Sequence, residues 1–157
     1  YCSNNNLSMK IEDAIKSKFD SQRQKVYINL IYTANEITAA AKKQFKEVDV
    51  TLQQYNVLRI LRGKHPESLN PGDIKSVMLD KSPDLTRLID RLLAKKLVYR
   101  ATCEDNRRKI DIKISDKGLD FLESISAHVA TPQRDKTKNL TEEEASQLSD
   151  LLDKLRG

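Results

Sequence analysis

The chain has 157 residues, of which 32% are charged, with no Trp and a net charge of +5. That length fits one domain, or a small domain with helical extensions, able to bury a core without help from metal or disulfides. No apolar run approaches the ~18 residues of a membrane span, and no membrane partner is expected. The two cysteines, Cys2 and Cys103, are too few for a disulfide framework and suit a reducing cytoplasm. Tyr1 to Asn6 are polar and lack a signal-peptide core. Met9 is a candidate natural start, so residues 1–8 are set aside from the fold.

From Met9 to about Lys46 the pattern predicts one long helix. Ile11, Ile15, Val26, Leu30, Ile37, Ala41 and Phe45 recur mostly at threes and fours or their multiples, and the stretch holds no Gly or Pro. Unbroken, it would run roughly 50 Å, too long to bury on one small domain, so a partner helix is expected. Thr51-Leu52-Gln53-Gln54 is a capping box. It opens a second helix carrying Leu52, Tyr55, Leu58 and Leu61 and ending near Gly63. Asn70-Pro71 opens a third helix, to about Leu79, with Ile74, Val77 and Met78 apolar. Asp80 and Lys81 make a short turn. Ser82-Pro83 then opens a fourth helix, since proline at the first helical position loses no hydrogen bond. This helix runs to about Lys96. Its inward stripe is Leu85, Leu88, Ile89, Leu92 and Leu93, and its outward face is Asp84, Thr86, Arg87, Asp90 and Arg91.

Leu97 to Thr102 alternates as a strand. Cys103 to Arg108 forms a charged tip with turn chemistry at Asp105-Asn106. Lys109 to Ile114 alternates strictly and sets three isoleucines on one strand face. Ser115 caps a fifth helix with Leu119, Leu122, Ile125 and Val129, ending before Pro132. Thr131 to Asn139 is polar and basic. Thr141 to Glu144 is another capping box, opening a last helix with Leu148, Leu151, Leu152 and Leu155.

Helix, turn, helix, strand, charged tip and strand make a winged helix. The predicted fold is mainly α with a small β-hairpin wing, an architecture that holds one helix in the DNA major groove. The expected organisation is an N-terminal dimerisation helix over 9–48, a winged helix-turn-helix DNA-binding module over 49–118, and C-terminal dimerisation helices over 119–157. The module alone cannot cover the terminal apolar faces, and a second copy is the simplest cover. Charge points the same way. Residues 81–117 hold eleven Lys/Arg against six Asp/Glu, while the other 120 residues hold seventeen of each. A localised basic surface is the footprint of a phosphate-backbone binder.

The stretch Leu79-Asp80-Lys81-Ser82-Pro83-Asp84-Leu85-Thr86-Arg87-Leu88-Ile89-Asp90-Arg91-Leu92, followed by Asp105-Asn106-Arg107-Arg108 and the strand into Ser115-Asp116-Lys117-Gly118, resembles the MarR family of bacterial transcription regulators. The resemblance covers about residues 51–125. It implies a homodimer gripping one pseudo-palindromic duplex site, as a repressor or activator often responsive to a small aromatic or phenolic ligand or to oxidants. By position, Ser82, Asp84, Thr86, Arg87 and Arg91 match the helix that enters the major groove. Asp105 and Arg107 match a wing pair in which the carboxylate aims the arginine at the minor groove. Arg108, Lys109 and Lys113 complete the candidate DNA-binding set. Tyr27, Ile31 and Tyr55 are candidate effector contacts, with aromatic core packing as the alternative. One departure is Lys96, where family members usually carry a Gly that closes the recognition helix in a left-handed cap.

Other readings compete. Arg87 could pair with Asp84 or Asp90 on a solvated face instead of touching DNA. Cys103 has Arg100, Arg107 and Arg108 nearby in sequence to lower its pKa, but Glu104 and Asp105 oppose them. The family's peroxide sensors carry their reactive cysteine near the first helix, which Cys2 does not match. His65 and His128 stand alone, without zinc-site spacing, so no metal or other cofactor is expected. No catalytic motif is present, and the chain is not expected to be an enzyme. The main alternative is a winged helix used for protein–protein assembly without specific DNA binding. Such a face should show exposed apolar anchors.

Overall fold

The computed structural model describes residues 9–81, 84–103, 106–127, 129 and 137–157, with side chains at 101–103 and 106–109 left aside. Two compact units result, Tyr1–Ala40 and Ala41–Gly157.

In the first unit the expected single helix is two. Helix α1 covers Ile11–Ile15 and ends at Lys16, whose φ of 51° is left-handed. Helix α2 then runs Gln22–Gln44. Its start has a local cause. The Gln24 amide donates to Ser21 Oγ at 3.2 Å, and the Gln24 side chain accepts from the Asp20 amide at 2.8 Å. This variant of the capping box competes with continuation of the helix. Apolar spacing hides the break because Ile15 and Val26 lie eleven apart, about three helical turns. Glu12 on α1 is joined to Lys25 on α2 at 2.5 Å. That hydrogen-bonded ammonium holds the Glu12 carboxyl below its usual pKa. Helix α2 has no buried residue, and Val26, Tyr27, Leu30, Ile31 and Ile37 are exposed along it.

The second unit begins with the last turn of α2, from Ala41, and continues through a 3-10 turn, Phe45–Glu47, to α3 over Leu52–Lys64. Both bonds of the Thr51/Gln54 capping box are made. Helix α4 covers Pro71–Val77, with Asn70 accepting from the Asp73 amide. It ends two residues earlier than the periodicity suggests: Met78 turns extended and buried, leaving Leu79 91% exposed. Helix α5 covers Leu85–Ala94. Strands β1 (Val98–Cys103) and β2 (Asn106–Ile114) form one antiparallel hairpin in which Val98 faces Ile114 and Thr102 faces Ile110. Helix α6 covers Asp116–Ser124 under a Ser115 cap, and α7 covers Glu142–Arg156 behind the Thr141/Glu144 capping box.

Val57, Leu58 and Leu61 of α3, Ile74 of α4, Leu85, Leu88, Ile89 and Leu92 of α5, Ile112 and Ile114 of β2, and Leu122 of α6 form one core. The hairpin departs from expectation in two ways. β1 starts at Val98, because Leu97 is already buried as part of the α5 ending. β1 and β2 extend to Cys103 and Asn106, so Asn106, Arg107 and Arg108 belong to a strand and not to the tip. Of the three alternating isoleucines, Ile112 and Ile114 are buried while Ile110 is 48% exposed. Strand alternation fixes which face a residue takes, but the helices back only the base of this hairpin. Leu69 adds a bridge to Ile112 through bonds of 2.9 and 2.7 Å, so the expected 64–69 loop supplies one more rung.

Two backbone devices join α5 to β1 and α6. The Lys96 amide donates to Leu93 O at 2.9 Å and the Leu97 amide to Leu92 O at 3.0 Å. Lys96 has φ 60°. This is a Schellman ending with lysine in the position glycine favours. Gly118 then lets α6 approach, since a Cβ there would lie 2.2 Å from Leu97 O and 2.7 Å from Ile114 Cγ1. No described helix is long and apolar enough to cross a membrane.

Candidate nucleic-acid interface

The two faces of α5 differ sharply. Leu85, Leu88, Ile89 and Leu92 are buried, while Thr86, Arg87, Asp90 and Arg91 are exposed. Asp84 is the N-cap. Its Oδ1 accepts from the Thr86 amide at 3.0 Å and the Arg87 amide at 3.3 Å. Two of the amides left unpaired at a helix start are thereby satisfied, which explains why the helix begins at Leu85 and not at Pro83. Ser82 lies outside the described residues.

Neither acidic neighbour pairs with Arg87. Asp84 serves the backbone, and Asp90 reaches Arg100 Nη2 on β1 at 3.0 Å. Among the described residues Arg87 and Arg91 have no ion pair, so two guanidinium groups one helical turn apart stand open on one face. The rest of the helix is anchored. Asn56 Oδ1 on α3 accepts from the Leu79 amide at 3.1 Å, fixing the turn ahead of α5. At its other end Lys95 pairs with Asp49 at 2.5 Å, and Lys117 donates to Lys95 O at 3.0 Å.

On the hairpin, Lys113 is half-buried opposite the exposed Tyr99. Asp111 accepts from Ser68 Oγ at 3.3 Å. Asp105 lies outside the described residues, as do the side chains of Arg107, Arg108 and Lys109, whose backbones lie in β2. Cys103 ends β1, and its side chain is likewise outside. Reading the sequence missed Arg100 and Asn56. No local signal marks either, because both act across elements brought together only by folding.

Of the candidate effector residues, Tyr27 and Ile31 belong to the first unit and Tyr55 to the second. Tyr27 and Ile31 are exposed on α2. Tyr55 packs its ring 5.2 Å from that of Phe45, and its hydroxyl accepts from Arg59 Nη1 at 3.0 Å. Among the described residues no group of three or more His, Cys, Asp or Glu could hold a metal ion.

Comparison with known proteins agrees with this geometry. Residues 50–110 match the MarR family model. The multiple antibiotic resistance protein MarR of Escherichia coli K12 is 30% identical over 109 residues, covering 69% of this chain and 74% of that protein. The crystal structure of a MarR transcription factor from Planctomyces limnophilus is 33% identical with a TM-score of 0.67, over 87% of this chain and 98% of that one. A cysteine-to-serine mutant of E. coli MarR complexed with operator DNA is 25% identical with a TM-score of 0.73, over 88% and 99% of the two chains. Sequence, fold and the arrangement of α3 to β2 therefore agree: this chain belongs to the MarR family of winged-helix transcription regulators.

Proposed function

We propose that this regulator binds duplex DNA sequence-specifically, as a homodimer on a pseudo-palindromic site, with α5 in the major groove. The observation that carries the reading is the outward face of α5. It presents Thr86, Arg87 and Arg91 to solvent on a helix whose opposite face is locked in the core. An open arginine can make a bidentate contact to guanine O6 and N7. The face offers no apolar anchor of the kind a protein-docking surface needs, which argues against the assembly reading. The E. coli relative complexed with operator DNA supports DNA as the partner. Asp84 acts by shaping the helix start, Asp105 and Arg107 serve the minor groove, and Arg108, Lys109 and Lys113 serve phosphates.

Exposed apolar residues support the dimer. Val26, Leu30 and Ile37 lie along α2, and Leu148, Leu151 and Leu155 recur on one face of α7. A small aromatic or phenolic effector is the proposed signal, with Tyr27, Ile31 and Tyr55 the residues to vary, and the cytoplasm the proposed place of action. Selection from a random duplex library tests the function. An inverted repeat with half-sites about 10 base pairs apart is expected, and a pool with no enriched motif would refute it. Sedimentation equilibrium at micromolar concentration should show a dimer, and a monomer would remove the symmetry argument.

A further inference from the structure

We infer that Arg100 acts as a charge mask on the recognition helix: by engaging Asp90 it keeps Arg87 and Arg91 available for DNA. The inference rests on the DNA-binding reading and adds a positioning residue outside the recognition helix.

Asp90 sits on the exposed face of α5, three residues after Arg87 and directly before Arg91. At i,i+3 spacing, Asp90 and Arg87 are neighbours on the helix surface and are natural partners. The structure shows a different pairing. The Asp90 carboxylate is held by Arg100 Nη2 at 3.0 Å, from β1, ten residues away. Both side chains are 53% exposed, and an exposed pair of this kind adds little to stability. Its consequence is electrostatic. A free carboxylate on this face would repel phosphate or draw Arg87 away from a base edge. Engaged by a cation from behind, it does neither. The same contact spans from the first wing strand to the helix.

The opposing readings are a phosphate contact by Arg100 itself and a surface pair without consequence. A double-mutant cycle separates all three. The chain, Arg100→Gln, Asp90→Asn and the double variant are titrated against a selected duplex and a scrambled one, at several salt concentrations. Masking predicts that Arg100→Gln weakens binding to the selected duplex by about two- to fivefold, the scale on which a freed carboxylate competes for one arginine. In the Asp90→Asn background the same change should cost less than twofold, because no carboxylate remains to be masked. Asp90→Asn alone should bind both duplexes at least as tightly as the parent.

If Arg100→Gln costs the same in both backgrounds and lowers the salt slope by about one, Arg100 is a phosphate contact and masking is overturned. If it costs nothing in either background, the pair has no role in binding and masking is again overturned. Failure of the parent protein to prefer the selected duplex would refute the DNA reading itself, and the inference with it. Thermal melts of all four proteins guard against misfolding, and an exposed pair predicts closely similar transitions. Arg100→Lys supplies the rescue. It keeps a cation within reach of Asp90 and should recover most of the lost specificity.

Discussion

Asp84 offers a test in which two substitutions that remove the same charge should act in opposite directions. Its carboxylate lies on the end of α5 proposed to face DNA, so electrostatics alone predicts that any neutral replacement tightens binding to phosphate. The structure assigns it a further task. Oδ1 accepts from the Thr86 and Arg87 amides at 3.0 and 3.3 Å, and these belong to two of the residues proposed to meet DNA. Asp84→Ala leaves both amides without that acceptor, and loss of such a cap costs about 1 kcal/mol of stability. The loss falls on the first turn of α5. A binding surface that must re-form that turn should bind a selected duplex up to about fivefold more weakly, given that 1.4 kcal/mol corresponds to tenfold. Asp84→Asn keeps an oxygen in the capping position and removes only the charge. It should fold within a few tenths of a kcal/mol of the parent and bind DNA as tightly or more so. Urea unfolding at fixed protein concentration reads the first quantity, and fluorescence anisotropy with a labelled duplex at fixed salt reads the second. Should the alanine variant unfold like the parent, or should the asparagine variant lose as much affinity as the alanine one, the capping role is wrong.

The backbone and the wing supply three further expected outcomes. Lys96→Gly should stabilise the protein by about 1 kcal/mol, because lysine sits at φ 60° where glycine carries no steric penalty; a destabilised variant in denaturant titration would contradict the Schellman ending. Gly118→Ala should destabilise by roughly 1–3 kcal/mol, since its methyl would lie 2.2 Å from Leu97 O; an unchanged melting transition would refute that close approach. Lys113→Ala should weaken selected and scrambled duplexes about equally with a shallower salt dependence, and a change confined to the selected duplex would assign it to a base instead.

What could be read from the sequence was whatever is written in residues close along the chain. Thr51 with Gln54, and Thr141 with Glu144, are capping boxes at fixed spacing, and both form with both bonds. The inward stripe of α5 is stated by its period: Leu85, Leu88, Ile89 and Leu92 are buried, and Leu93 is partly buried against them. Lys96 could be flagged in advance only through the family resemblance, since members usually carry Gly there; the chain's own residues do not mark the left-handed ending. The break at Lys16 was hidden for the same reason: a lysine gives no sign of a left-handed conformation, and three-turn spacing keeps the apolar phase across the gap. The Ser21 and Gln24 pair did carry a start signal, masked by the stronger apolar period. Ile110 shares a strand face with Ile112 and Ile114 without their burial, because alternation says nothing of how far the helices extend beneath a hairpin. The Asp90–Arg100 contact depends on how β1 folds back along α5, which no local pattern records.

The central claim is that Arg87 on α5 reads a base. The most direct measurement is the ratio of affinities for a selected duplex and a scrambled one, in the parent and in Arg87→Ala, at the same salt concentration. If Arg87 reads a base, the ratio collapses by the equivalent of ~1–3 kcal/mol, chiefly through lost affinity for the selected duplex. An equal loss on both duplexes would show that Arg87 touches only the backbone and would contradict the claim.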